Sequence, residues 1–332
     1  MNDPLLSVRN LTIDIPVGAG TLHAVRGIDF DLDRGETLCI VGESGSGKSL
    51  TSLALMGLLG GNIRRGAERM DFDGTDLITA GARTMRALRG ARMSMIFQEP
   101  MTSLNPAYTI GDQLTEALLL HRRVGRQAAR ARAVELLEKV GITAAESRLS
   151  QYPHQLSGGL RQRVMIAMAL MCGPELLIAD EPTTALDVTI QAQILRLLHD
   201  LGREMNMAMI LITHDLGVVA RVADKVAVMY AGELVETGPA ADVFNTPTHP
   251  YTRGLLRCIP LPGKTERNSE LGTIPGIVPS LVGDIEGCAF RTRCAHAVAA
   301  CKGPIPHRGA AGHRFRCVHA DGKRNAEQGV SA

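Results

Sequence analysis

The sequence predicts an α/β fold with a parallel sheet at its centre, and three observations carry that reading. Short apolar runs at residues 36–41 (ETLCIV), 93–97, 176–179 and 207–213 each end at a polar residue, as strands buried on both faces do. The glycine-rich stretch GESGSGKS at 42–49 follows the first run and precedes a helical segment at 50–59, so it joins a strand to a helix. Helix-period sequence lies between the second and third runs, as a crossover between parallel strands requires.

Composition bounds the rest. With 332 residues, 45% apolar and 21% charged, the chain has room for about two domains, expected as one large domain plus an appendage. No window approaches the roughly 18 uninterrupted apolar residues of a membrane-spanning helix. The opening MNDPLLSVRN has no basic segment followed by an apolar stretch, so the chain is expected in the cytosol, docking onto other subunits if it serves a membrane process. A net charge of +2 gives no reason to name nucleic acid as a partner. Seven cysteines without an export signal argue against a disulfide framework.

Taken in order, the first strand delivers the chain into Gly42, Glu43, Ser44, Gly45, Ser46, Gly47, Lys48 and Ser49. The glycines let backbone N–H groups turn towards phosphates, Lys48 reaches the β and γ phosphates, and Ser49 can ligate Mg²⁺. The run at 93–97 ends at Gln98 and that at 207–213 at His214, where side chains leaving adjacent parallel strands converge on a crevice. Residues 127–140 place Ala131, Val134, Leu137 and Val140 at helical spacing, opposite a basic face read as solvated surface. In LSGGLRQR at 156–163, Ser157, Gly158 and Gly159 open an apolar helix; its free N–H groups and positive dipole end make either an anion site or a plain helix cap. LLIADE at 176–181 ends in two carboxylates: Asp180 would hold the Mg²⁺ shell and Glu181 would polarise an attacking water. After about Phe244, Pro247, Pro250, Pro260, Pro262, Pro275 and Pro279 mark a loop-rich extension, and residues 321–332 read as a disordered tail.

The phosphate loop, Gln98, LSGGL, LLIADE, Ala185-Leu186-Asp187 and His214 stand in the order and rough spacing in which the sequence resembles ABC ATPase domains, over about residues 5–245. The resemblance implies a P-loop NTPase of ABC type at 1–245, with an inserted helical subdomain at about 100–165 and a loop-rich carboxy-terminal extension at 246–320. It implies ATP held along 42–50, Leu50 included, and by Gln98, with Mg²⁺ on Ser49, Gln98 and Asp180. Catalysis falls to Glu181, to His214 holding the γ-phosphate and water, and to Gln98 sensing Mg²⁺ and the transport subunits. Asp187 belongs to a dimer-contacting loop. In a head-to-tail dimer Ser157, Gly158 and Gly159 complete the partner's ATP site, so a monomer would hydrolyse poorly. Two departures stand out: Leu160 replaces the glutamine usual in the signature loop, and Ile15 falls where an aromatic residue commonly stacks on adenine.

HPYTRGL at 249–255, IPGIVPSL at 274–281 and GCAFRTRC at 287–294 resemble the carboxy-terminal region of dipeptide and oligopeptide importer ATPases, a branch with relatives for nickel, glutathione and antimicrobial peptides. EPMTSLNP at 99–106 is similarly typical and lies where such proteins meet the coupling helices of their permeases. The implied partners are two transmembrane permease subunits, a second related or identical ATPase subunit and a substrate-binding protein, with the chain peripheral on the cytoplasmic side of the inner membrane. Peptides are the leading cargo. Cys288, Cys294, Cys301 and Cys317 are separated by 5, 6 and 15 residues; four thiolates suit an iron–sulfur cluster or zinc. The spacing lacks C-x2-C pairs, and the resemblance implies a [4Fe–4S] site. Zinc, alone or with His296, His307, His313 or His319, and unliganded thiols remain alternatives. A soluble ABC-type ATPase acting on DNA or ribosomes and a non-hydrolysing regulatory module are the rival classes; the chain shows neither fused cassettes nor a coiled-coil insertion, and it carries Glu181 and His214 together.

Overall fold

The computed structural model describes residues 3–98, 103–183, 187–259, 272–309 and 312–319. Strands β1 (Leu6–Val17) and β2 (Gly20–Leu32) pair antiparallel and are followed by β3 (Thr37–Val41) and helix α1 (Lys48–Leu55). Strands β4 (Arg64–Gly66), β5 (Arg69–Phe72) and β6 (Thr75–Asp76) complete a five-stranded sheet of order β2-β1-β5-β6, with β4 also on β1. Next come α2 (Ala82–Leu88), β7 (Met93–Ile96) and the helices α3 (Ile110–His121), α4 (Arg126–Lys139), α5 (Ala145–Arg148) and α6 (Gly158–Leu170). The chain then alternates through β8 (Leu176–Asp180), α7 (Val188–Glu204), β9 (Ala208–Thr213), α8 (Leu216–Val222) and β10 (Lys225–Tyr230). It ends with β11 (Glu233–Pro239), α9 (Ala240–Asn245), α10 (Pro250–Arg257) and β12 (Arg314–Phe315).

The second sheet has order β12-β11-β10-β3-β9-β8-β7, parallel from β10 to β7 and antiparallel at the β12 end. Its central strands β3, β8 and β9 are buried at every position and mostly apolar, because both faces are covered. Leu38, Ile40, Ile178, Ile210 and Met229 turn towards α1 and the five-stranded sheet, while Cys39, Val41, Leu177, Leu211 and Val228 turn towards the helices. Two cores therefore sandwich one sheet.

The four strands read from sequence stand close to their expected places, as β3, β7, β8 and β9, with shifted ends. Glu36 lies outside β3, its carboxylate accepting the Asp33 N–H at 2.9 Å. Helix α1 starts at Lys48 and ends at Leu55 rather than spanning 50–59, because Gly47, at φ 105°, turns the loop straight into the helix. In α4 the buried face is Ala129, Ala133, Leu136 and Leu137, continued by Val140, and Ala131 is exposed. Alanines recur around this helix, so apolar spacing alone does not separate Ala129 and Ala133 from Ala131. The antiparallel sheet has no counterpart in the sequence reading. Residues 99–102, 184–186, Pro260, Pro262 and the 321–332 tail lie outside the described residues.

Candidate active site

Parallel register brings the strand ends level. Val41 pairs with Thr213, Asp180 with Ile212, and Ile96 with Ala179, so the residues that follow, Gly42, His214, Glu181 and Gln98, emerge on one carboxyl edge. The loop after β3 bends through left-handed glycines: Gly45 has φ 76° and Gly47 φ 105°. A Cβ on Gly42 would strike the Met229 carbonyl, so the loop lies against β10 only because Gly42 is bare. Lys48 is 5% exposed and folds its ammonium into this loop, donating to the Gly42 carbonyl at 2.8 Å and the Glu43 carbonyl at 2.9 Å. Burial lowers its pKa, while the Glu181, Asp180 and Glu43 carboxylates pull it back up.

Ser49 donates its hydroxyl to Asp180 Oδ1 at 3.0 Å. Burial is the main cause that raises the Asp180 pKa, with the Glu181 charge adding to it; a nearby cation would relieve both. Gln98 Nε2 donates to Glu181 Oε2 at 3.1 Å, and His214 Nδ1 stands 3.7 Å from the same oxygen. Glu181 has φ 44°, a left-handed conformation costly for a non-glycine residue and concentrated at functional sites. The structure thus gathers Lys48, Ser49, Gln98, Asp180, Glu181 and His214 around one crevice.

Ser157, Gly158 and Gly159 stand apart from this group. Ser157 caps α6, accepting the Leu160 N–H at 3.4 Å, and among the described residues no hydrogen bond joins 157–159 to 42–50. Asp187 caps α7 through the Ile190 N–H at 3.1 Å. Gln162, 1% exposed, donates to the Pro182 carbonyl, tying α6 to the loop after Glu181.

Sequence reading missed the links from the extension. The Tyr251 hydroxyl accepts the Glu43 N–H at 2.9 Å, and Arg293 pairs with the Glu43 carboxylate. Both residues lay in motifs taken as family marks, but a contact spanning some 200 positions leaves no periodic signal.

Cys288, Cys294, Cys301 and Cys317 converge. Burial raises the Cys288 thiol to about 11, and the three other cysteines push the same way. Cys294 and Cys317 are raised by burial and by their neighbours as well. The Cys288 N–H donates to the Cys301 carbonyl at 2.9 Å. Among the described residues, however, no group of three or more His, Cys, Asp or Glu side chains is set to hold a metal ion, so neither the expected [4Fe–4S] site nor zinc is seen as a formed ligand set. Cys301 and Cys317 are buried, and Cys288 and Cys294 are half-buried against the apolar core. His313 is engaged elsewhere, 2.8 Å from Glu236 Oε1, and His319 donates to the His296 carbonyl at 2.8 Å.

A left-handed glycine loop, a buried lysine and an acidic strand end on a parallel sheet define a P-loop nucleoside-triphosphatase. Residues 25–184 match the family described as ABC transporter, and residues 235–301 match the oligopeptide/dipeptide transporter C-terminal region. The chain is 52% identical over 306 residues to the dipeptide transport ATP-binding protein DppD of Bacillus subtilis strain 168, covering 92% of this chain and 90% of that one. It is 53% identical over 297 residues to the oligopeptide transport ATP-binding protein OppD of the same organism, covering 89% and 82%. Among solved structures, the dimeric post-hydrolysis state of the ATP-binding cassette MJ0796 bound to ADP and Pi matches at a TM-score of 0.63 and 26% identity, over 71% of this chain and 98% of that one. The chain belongs to the ABC transporter family, among the ATP-binding proteins that carry the oligopeptide/dipeptide C-terminal region.

Proposed function

We propose that the chain hydrolyses ATP to drive import of dipeptides or oligopeptides through separate membrane subunits. The observation that carries the chemistry is the convergence of Gln98 and His214 on the left-handed Glu181, beside the Ser49–Asp180 pair. The peptide cargo rests on the names of the relatives and on the extension they share. Among the described residues no helix is long and apolar enough to cross a membrane, so the proposal assigns translocation to permease partners and places this chain against them on the cytoplasmic face.

In this reading the backbone N–H groups of 42–49 and Lys48 bind the polyphosphate, the Ser49 hydroxyl, Asp180 and Gln98 receive Mg²⁺, and Glu181 takes a proton from the attacking water that His214 helps to hold. The cation would neutralise charge developing on the γ-phosphate. Among the described residues no hydrogen bond joins Ser157, Gly158 and Gly159 to the phosphate loop, and we assign them to the site of a second ATPase subunit, identical or related, approached by Asp187. Nucleic acid has no part in it. We place the boundary between ATPase domain and extension at about residue 245, with Tyr251 and Arg293 reaching back across it to Glu43.

The proposal extends to a [4Fe–4S] cluster on Cys288, Cys294, Cys301 and Cys317. The fit lies in the donor set: four thiols within electrostatic reach of one another, in a fold where a Cβ on Gly287 would strike the backbone of Cys301 and Lys302. Bound, the cluster would supply a cross-link between three segments of the extension.

The test is steady-state ATPase activity over a concentration series of the anaerobically purified chain, with iron content and visible spectrum from the same sample. Activity rising more steeply than concentration is expected, and Glu181→Gln should keep ATP binding while cutting turnover by about 10²- to 10⁴-fold. Turnover near wild type in that variant removes Glu181 from the role. A colourless sample containing zinc overturns the cluster and leaves the ATPase reading standing.

A further inference from the structure

Arg293 lies between Cys288 and Cys294, 250 positions from the phosphate loop, yet its guanidinium grips the Glu43 carboxylate with two prongs: Nη1 to Oε2 at 2.6 Å and Nη2 to Oε1 at 3.0 Å. Its side chain is only 4% exposed. The extension fixes where it sits, because Nε and Nη2 also donate to the carbonyls of Pro275 and Ile274 at 3.0 and 2.9 Å, and the rings of Tyr230 and Phe290 lie beneath it. Glu43 therefore has its carboxylate on Arg293, its N–H on the Tyr251 hydroxyl and its carbonyl on Lys48 Nζ.

Glu43 is also within electrostatic reach of Lys48, and hence of a polyphosphate seated on that lysine. An unpaired carboxylate there would repel ATP. Paired with a guanidinium it presents no net charge, and the fork fixes its direction in a way a single-point cation does not. We propose that Arg293 is a positioning residue for ATP: by neutralising and aiming Glu43, it lets the extension set the affinity of the phosphate loop. The proposal rests on the ATPase reading above.

The test titrates the full chain with a fluorescent methylanthraniloyl ATP and Mg²⁺, alongside KM and kcat for ATP. Wild-type binding is the control; its absence sinks the ATPase reading itself rather than the role of Arg293. Arg293→Met, which keeps the aliphatic length, should weaken binding and raise KM by about tenfold, the scale of one charge-assisted hydrogen bond, with a smaller change in kcat. Adding Glu43→Gln should restore most of the affinity, since it removes the uncompensated charge. A packing defect would not be rescued in this way. Unchanged affinity in Arg293→Met, or a loss that Glu43→Gln leaves in place, overturns the proposal. Should Arg293→Met melt well below wild type, the charge-swapped chain carrying Glu43→Arg and Arg293→Glu decides instead: affinity better than Arg293→Glu alone supports the pair, and affinity no better refutes it.

Discussion

Glu236 is fully buried, and its carboxylate receives the Thr248 N–H at 2.7 Å, the His249 N–H at 2.9 Å and His313 Nε2 at 2.8 Å. One side chain on β11 thus anchors both the start of α10 and the approach to β12. Glu236→Ala removes a charged acceptor from three donors. Each such bond contributes about 1.5–3 kcal/mol, but the losses are not additive, because α10 can shift and water can enter. Breaking a buried charged constellation typically costs about 3–5 kcal/mol, and that is the expected loss in urea unfolding. Amide hydrogen exchange gives a local check: the Thr248 and His249 amides should lose protection while those of β3 and β9 keep theirs. A loss under about 1 kcal/mol, with both amides still protected, would show that apolar packing rather than this carboxylate docks the extension.

Two further outcomes are expected. Burial lowers the His249 pKa to about 3, below the roughly 6.5 of an unfolded chain, so the unfolded state binds more protons between those values. Stability should be complete above pH 6.5 and fall on acidification towards 3, by up to about 1.4 kcal/mol per pH unit. His249→Asn, which can still cap α10 but cannot titrate, should flatten that slope in denaturant titrations; parallel slopes would acquit His249. Gln162→Ala leaves the Pro182 carbonyl without its side-chain donor and should cost about 1–3 kcal/mol, with ATPase activity falling further than stability accounts for; a drop in stability alone would mean that α6 does not steer the loop after Glu181.

What the sequence disclosed follows from which signals are local. A strand buried on both faces announces itself as an unbroken apolar run, and the phosphate loop carries its glycines, lysine and serine in eight consecutive positions, so β3, β8, β9 and the two carboxylates at the end of β8 are legible in the sequence. The antiparallel sheet escaped notice because bulges in the β1–β2 hairpin break the alternation of buried positions along β1, and its other partner β5, reached through Leu6 and Phe72, lies far along the chain. Glu43 was assigned to the phosphates by its place in the motif, whereas its side chain turns away to Arg293. Nothing in either local sequence encodes that pairing. The four cysteines were recognisable as a group from spacing alone, but how closely they approach depends on burial and on backbone contacts such as Cys288 to Cys301.

The shortest strand has the widest consequence. Arg314 and Phe315 lie along β11 opposite Thr237 and Glu236, and the Arg316 N–H continues onto the Val235 carbonyl at 2.9 Å. Without them, β11 would end the seven-stranded sheet with a row of unmatched amides and carbonyls beside Leu234 and Val235, a template on which another chain could add itself. A chain trimmed at residue 245 would keep every side chain of the nucleotide crevice and lose this cover. The extension therefore closes an otherwise open sheet edge, and a chain cut short of Arg314 is expected to leave that edge free to pair with another strand.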